Sequence, residues 1–246
     1  MQRRTVLAGM TALPLVGALP SFAQSTAPDT IPTSAGDVTI TPVHHASLLL
    51  SFGNEVIYVD PAEADFSALP AATAILITHA HGDHLDPETL TKVAGDTTPI
   101  LTTAEVAGKL TEALKARATV LANGASTTFA GVPVEAIAAY NTTADRLNYH
   151  PHGVGNGYVL SFGDTRIYVA GDTEPTPEML ALTDIAVAFL PMNLPYTLSV
   201  EQAAEAIKGF KPRIVYPYHS RGSDVAALPV LIGDAAEIRQ RDWYGA

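Results

Sequence analysis

The chain has 246 residues, 47% hydrophobic and 16% charged, with a formal net charge of −11 and no cysteine. That profile suits one core-forming domain and excludes disorder over most of the length. The acidic balance argues against nucleic-acid and anionic-membrane partners, and the lack of cysteine excludes disulfides, thiolate zinc sites, a cysteine nucleophile and a lipobox anchor, so any metal site must be built from histidines and carboxylates.

The first 23 residues differ in kind. Arg3 and Arg4 precede an apolar stretch from Val6 to Leu19 and a small-x-small site at Ser21-Phe22-Ala23, the pattern of an export signal. Gly9, Pro14, Gly17 and Pro20 interrupt the stretch, which makes a retained membrane anchor the weaker reading. Arg3-Arg4-Thr5-Val6-Leu7 resembles a twin-arginine signal, with a Sec signal as the alternative. The mature protein is expected to begin at Gln24, to be periplasmic or secreted, and to have no membrane span. Residues 24–36 read as a Ser/Thr/Pro/Ala linker and 37–246 as the folded domain.

Beyond the linker come short β-branched or apolar runs separated by turns. Asp37 to Val43, Ser47 to Phe52, Val56 to Asp60 and Ala74 to Thr78 read as strands, with Gly53-Asn54 as a hairpin turn. Helices are predicted over Thr103 to Arg117, over Thr176 to Leu182, and over Ser199 to Phe210. In the last of these Val200, Ala203, Ala204, Ile207 and Phe210 share a face, and Ser199 with Gln202 forms a capping box. Leu50-Ser51-Phe52-Gly53 and Ile57-Tyr58-Val59 recur at an offset of 110 as Leu160-Ser161-Phe162-Gly163 and Ile167-Tyr168-Val169. Both copies read as hairpins followed by an acid, Asp60 and Asp172. A duplicated strand-rich half predicts two sheets packed face to face with helices outside.

The eight histidines fall in four places: His44 and His45; His79, His81 and His84; His150 and His152; and His219. In Thr78-His79-Ala80-His81-Gly82-Asp83-His84 the strand ends where the histidines begin, and extended geometry sends His79 and His81 to one side, able to grip one ion. A turn at Gly82, which tolerates positive φ, aims Asp83 and His84 at a second point nearby.

This H-x-H-x-D-H sequence, followed by a distant His, Gly171-Asp172-Thr173 after a strand and His219 at the end of another, resembles the metallo-β-lactamase superfamily. The similarity runs from about Val38 to the C-terminus. It is nearest to the branch of ascorbate-6-phosphate lactonase and related metal-dependent hydrolases, through Tyr140-Asn141, His150-Pro151-x-Gly153, Gly157-Tyr158, Leu190-Pro191, Tyr196-Thr197 and Pro217-x-His219. The resemblance implies an α/β fold, a four-layered αββα sandwich with two mixed β-sheets and helices on the outer faces. It implies His79, His81 and His150 on one metal, Asp83, His84 and His219 on a second, and Asp172 bridging them, with His152 as the alternative to His150. Two divalent ions follow, zinc first, with manganese or iron as alternatives. A water between them would become hydroxide and attack the substrate, with Asp83 as ligand and proton acceptor.

Other residues carry softer readings. His45, with His44 a weaker candidate, lies where this branch often has a histidine at the site rim. Asp60 before Pro61 is either a turn residue or the hydrogen-bond partner of a ligand imidazole. Asn193, Tyr196 and Tyr140-Asn141 sit in loops where substrate contact and plain loop roles weigh evenly, and Arg221 is either a partner for an anionic substrate group or a solvated arginine. No glycine-rich phosphate cradle or Ser-His-Asp order accompanies them, and nothing points to a nucleotide cofactor. The expected function is a dinuclear metal-dependent hydrolase of a small ester, lactone or similar carbonyl substrate. The alternatives are a phosphodiesterase or phospholipase-type reaction at the same site, or a non-catalytic metal-binding protein, with β-lactam hydrolysis less favoured. The oligomeric state is not legible.

Overall fold

The computed structural model describes residues 27–245; the export signal expected over residues 1–23 lies outside them. Strands β1 (Asp29–Ile31), β2 (Val38–His44), β3 (Ser47–Phe52), β4 (Glu55–Val59), β5 (Ala74–Leu76), β6 (Ile100–Thr102) and β7 (Ala118–Val120) make one seven-stranded sheet in that order. Strands β8 (Ser126–Phe129), β9 (Val132–Ala139), β10 (Gly155–Phe162), β11 (Thr165–Val169), β12 (Ile185–Pro191), β13 (Ile214–Tyr218) and β14 (Glu237–Ile238) make the second, again in chain order. In each sheet the first four strands are antiparallel and the later pairings parallel. The sequence echo is therefore a structural one. Leu48 pairs with Val59 and Leu50 with Ile57 in the first hairpin, as Tyr158 pairs with Val169 and Leu160 with Ile167 in the second.

Alternation along the strands explains the layering. Leu48 and Leu50 face inward onto Tyr158, Leu160, Ile167 and Phe189, all buried between the sheets. Leu49 and Tyr58 point the other way, onto Leu90, Val106 and Leu114 of helices α1 (Pro87–Val93), α2 (Ala104–Lys109) and α3 (Glu112–Lys115). On the far side Val159, Tyr168 and Leu190 meet Met179, Ile207, Phe210 and Leu228 of α4 (Pro177–Leu180), α5 (Val200–Phe210) and α6 (Leu228–Ile232). Three apolar interfaces thus separate four layers, the architecture expected from the sequence. Truncating a fully buried leucine such as Leu50 to alanine in such an interface costs about 2–5 kcal/mol.

Local signals account for the helix ends. The predicted box closes on α5, with Ser199 and Gln202 each bonding the other's backbone N–H. Thr176 caps α4 through Met179 N–H. The single helix expected over Thr103 to Arg117 is instead two, because Leu110 is extended and buried and Thr111 caps a fresh turn through Leu114 N–H. The expected linker is also shorter than predicted: Asp29–Ile31 pairs with β2 as an edge strand, and the Asp29 carboxylate accepts from Arg239, Arg241 and Tyr216. Among the described residues no helix is long and apolar enough to cross a membrane.

Candidate metal centre

All the sequence-predicted ligands meet where the strand-end loops of the two sheets converge. The β5 ladder ends at Leu76, and Thr78 N–H bonds the Asp60 carboxylate at 2.7 Å in place of a neighbouring strand. The histidine loop then turns within one helical turn, with His84 and Leu85 N–H both bonding His81 C=O. Gly82 does not use the positive φ expected of it, and a Cβ there would meet open space. The glycine that geometry does require is Gly171. Its φ is +63°, and an added Cβ would lie 2.8 Å from Asn156 O and 3.0 Å from Thr78 Cβ. Only a residue without a side chain brings Asp172 this close to the histidine loop.

Three groups of ligand-type atoms lie within 4.8 Å of one another: His79, His81, His150 and Asp172; His84, Asp172 and His219; and His45, Asp83 and His219. Asp172 lies at the centre. Its Oδ2 is 3.2 Å from His150 Nε2, 3.3 Å from His219 Nε2 and 3.8 Å from His79 Nε2, and its Oδ1 is 3.3 Å from His84 Nε2. Asp83 departs from the expected pattern. It is 3.9 Å from His84 Nε2 but 3.2 Å from both His219 Nε2 and His45 Nε2. His45, expected at the rim, is thus part of the cluster, its ring 3.8 Å from that of His219.

The surroundings fix which imidazole nitrogen faces inward. Asp60, fully buried, sits 2.7 Å from His84 Nδ1, so His84 Nε2 is left for the centre. Tyr196 C=O at 3.1 Å and Asn141 Oδ1 at 3.3 Å flank His150 Nδ1 and leave its Nε2 likewise. His45 Nδ1 lies 3.0 Å from Tyr244 Oη. Asp60 thus lies against His84 Nδ1, where the hydrogen bond considered for it to an imidazole would form. His45, Asp60 and His219 all have φ between 44° and 50°, a sparsely populated conformation for residues with side chains that tends to gather at functional sites. Backbone bonds from His219 N–H to His45 C=O and from His45 N–H to Trp243 C=O hold two of them.

Electrostatics favour cation binding. Burial by itself would raise the Asp172 carboxyl, but His219 and His84 hold it well below the usual carboxylate range. Burial pushes the His79 imidazole well down, with His84 adding to the effect, and burial and His150 lower His81. Burial opposes protonation of His84 too, yet Asp172 and Asp60 raise it well above an ordinary histidine. A metal ion bound at Nε2 would take the place of the proton that these carboxylates favour on His84. The buried His84 Nε2, His150 Nε2 and Asp172 Oδ1 have no hydrogen-bond partner. Inward-facing lone pairs without donors are what a coordinated cation requires, so the residues fit the metal that the sequence motif implies.

The remaining candidates divide. Asn193, Tyr196 and Arg221 line a cavity of about 510 Å³ whose floor carries His81, Asp83, His150, Asp172 and His219. His152 is exposed, its ring 4.5 Å from that of Tyr140, and lies outside all three ligand groups. Glu174 was missed by sequence reading. Its buried carboxylate accepts from Thr142 and Thr143 N–H and from Arg146, fastening the loop that carries His150 to the Asp172 turn. The only local hint was an acid two residues beyond Asp172.

Comparison with known proteins shows similarity in both sequence and fold. Residues 39–219 match the β-lactamase superfamily domain. A UPF0173 metal-dependent hydrolase of Pyrococcus horikoshii is 30% identical over 213 residues, covering 79% of this chain and 92% of that protein. A crystal structure described as a metal-dependent hydrolase from Parabacteroides distasonis is 42% identical, with a TM-score of 0.83 over 88% of this chain and 98% of the other. Igni18, a metallo hydrolase of Ignicoccus hospitalis, shares the fold at 21% identity, with a TM-score of 0.69 over 83% of this chain and 95% of its own. The chain therefore belongs to the metal-dependent hydrolases of the β-lactamase superfamily.

Proposed function

We propose that this chain is a dinuclear hydrolase of a small ester, lactone or similar carbonyl compound. The observation that carries the reading is the convergence of buried imidazoles on both oxygens of Asp172 at the floor of an open cavity. His79, His81 and His150 with Asp172 would hold one ion, and His84, His219 and Asp83 with Asp172 the other; zinc suits these donors first, then manganese or iron. Such ions, when bound, acidify water and stabilise a developing oxyanion. Asp83 is the ligand carboxylate that opens onto the cavity, its side chain 31% exposed where that of Asp172 is 3%. Oriented by His45 and His219, it is placed to accept a proton from an attacking water. No serine, threonine or cysteine lines the cavity, so a hydroxyl or thiol nucleophile of those types is not supplied there. The names of the relatives support hydrolysis, and the fold by itself does not select the substrate.

The test is turnover of matched ester, lactone and phosphodiester panels by metal-loaded protein, with His81→Ala as the control. Hydrolysis of esters or lactones that is lost in His81→Ala is expected. Activity confined to phosphodiesters would refute the carbonyl reading, and full metal loading without any turnover would favour a binding role.

A further inference from the structure

The cavity above the ligands is lined unevenly. Arg221 is the one lysine or arginine among its lining residues. Its guanidinium lies 5.1 Å over the Tyr244 ring, and Tyr244 is itself fixed, because its hydroxyl accepts from Ser220 N–H at 2.8 Å and lies 3.0 Å from His45 Nδ1. The arginine, itself exposed in the loop after β13, thus lies over a tyrosine of the C-terminal segment that also contacts His45. Its charge stands against the chain's net −11. At the opposite composition extreme, the Tyr149 and Tyr196 rings, half-exposed at the same cavity, meet edge to face at 5.0 Å. Leu147 and Leu194 beside them are also exposed.

A planar fork of donors held on an aromatic face is suited to bidentate recognition of an oxyanion. An exposed aromatic pair offers contact to an apolar body at low cost in side-chain entropy. We propose that the substrate is an amphiphilic anion whose terminal carboxylate or phosphate binds Arg221 while its apolar portion rests against Tyr149 and Tyr196, with the scissile group over the ligand floor between them. The volume of about 510 Å³ sets its scale as that of a small molecule. This substrate class rests on the hydrolase reading above.

The test compares para-nitrophenyl hexanoate with the mono-para-nitrophenyl ester of adipic acid, in which a carboxylate replaces the terminal methyl group, and with an ω-phosphate counterpart. Metal-loaded protein should favour at least one anionic ester by about tenfold or more in kcat/KM, chiefly through KM. The ratio of anionic to neutral kcat/KM should fall by about tenfold in Arg221→Gln and be partly retained in Arg221→Lys, which keeps the charge but loses the fork. Which anionic ester gains more separates carboxylate from phosphate recognition. Absence of a preference in the native protein, or a preference that survives Arg221→Gln, would overturn the proposal. If no ester is turned over, the carbonyl-substrate reading fails separately. Calorimetric binding of the corresponding anilides, neutral and ω-carboxylate, then decides: a selectivity for the anion that Arg221→Gln removes sustains the site, and equal affinity refutes it.

Discussion

Asp60 offers the sharpest test of how the metal centre is assembled, because it acts on a ligand through one hydrogen bond. Its Oδ1 accepts from Thr78 N–H at 2.7 Å, and its Oδ2 lies 2.7 Å from both Thr78 Oγ1 and His84 Nδ1, all fully buried. Asp60→Asn preserves shape but replaces one acceptor by a donor. If the amide oxygen stays with Thr78 N–H, the new N–H group faces His84 Nδ1, and the imidazole must shift its proton to Nε2 to accept it. That shift places a hydrogen where a lone pair must reach the ion. If the amide is reversed, Thr78 N–H is left facing a donor, a cost of about 1–3 kcal/mol. Loss of an orienting carboxylate behind a ligand histidine lowers metal affinity by about 10–100-fold. Competition with a chromophoric chelator should show that loss, while thermal unfolding of metal-free Asp60→Asn reports the separate cost to the fold. Unchanged affinity together with an unchanged melting temperature would refute the assignment of Asp60 as the residue that sets the His84 tautomer.

His150→Ala should empty the site shared with His79 and His81, while His152→Ala keeps full metal content by elemental analysis; the reverse result would exchange their roles. Gly171→Ala should reduce metal content and destabilise the fold by about 1–3 kcal/mol for the overpacking alone, since its Cβ meets backbone and Thr78; unchanged metal content and thermal unfolding would remove the steric reason for that glycine. At Asp29 burial raises the carboxyl, but Tyr216 and Arg239 outweigh it and hold it below its ordinary value. The stabilisation is therefore complete above the unfolded carboxylate pKa and is lost as pH falls through the lowered one, so the melting-temperature gap between native protein and Asp29→Asn should close in acid; a pH-independent gap contradicts it. Exported protein should begin at Gln24 by intact-mass analysis, and exchange of Arg3 and Arg4 for lysines should block export if the route is twin-arginine; retention of Met1 would refute cleavage.

Much of this was legible in the sequence, for identifiable reasons. Alternating apolar runs and the offset repeat encode the hairpins directly, since strand period and turn chemistry are local properties. The HxHxDH spacing encodes its own convergence, because a strand end followed by a tight turn leaves few directions for four side chains. What could not be read was long-range. His45 joins Asp83 and His219 only because β2 ends beside β13, a juxtaposition of the two sheets that no local spacing states. Glu174 is a clasp between three separate segments, and in sequence it is one acid among 25 acidic residues. The helix broken at Leu110 shows the same limit in reverse, as a threonine able to cap competes with propensity that favours continuation.

The two halves also show how one duplicated frame yields two roles for a carboxylate. Val59 and Val169 occupy equivalent positions in their hairpins. The next residues, Asp60 and Ala170, are equivalent as well, since each N–H bonds a carbonyl of the adjacent parallel strand, Leu76 and Phe189. An acid at that position lies within the sheet edge, fully buried, and reaches only the backs of Thr78 and His84. In the second half alanine takes that place, and Gly171, with its left-handed turn, carries the acid two residues further out to where the imidazoles meet. Distance along the strand therefore separates the carboxylate that backs an imidazole from the one on which the imidazoles converge. The asymmetry between Asp60 and the Ala170-Gly171-Asp172 turn places the centre between the halves, since one sheet supplies the histidine loop with its orienting acid and the other supplies Asp172, His150 and His219 to close it.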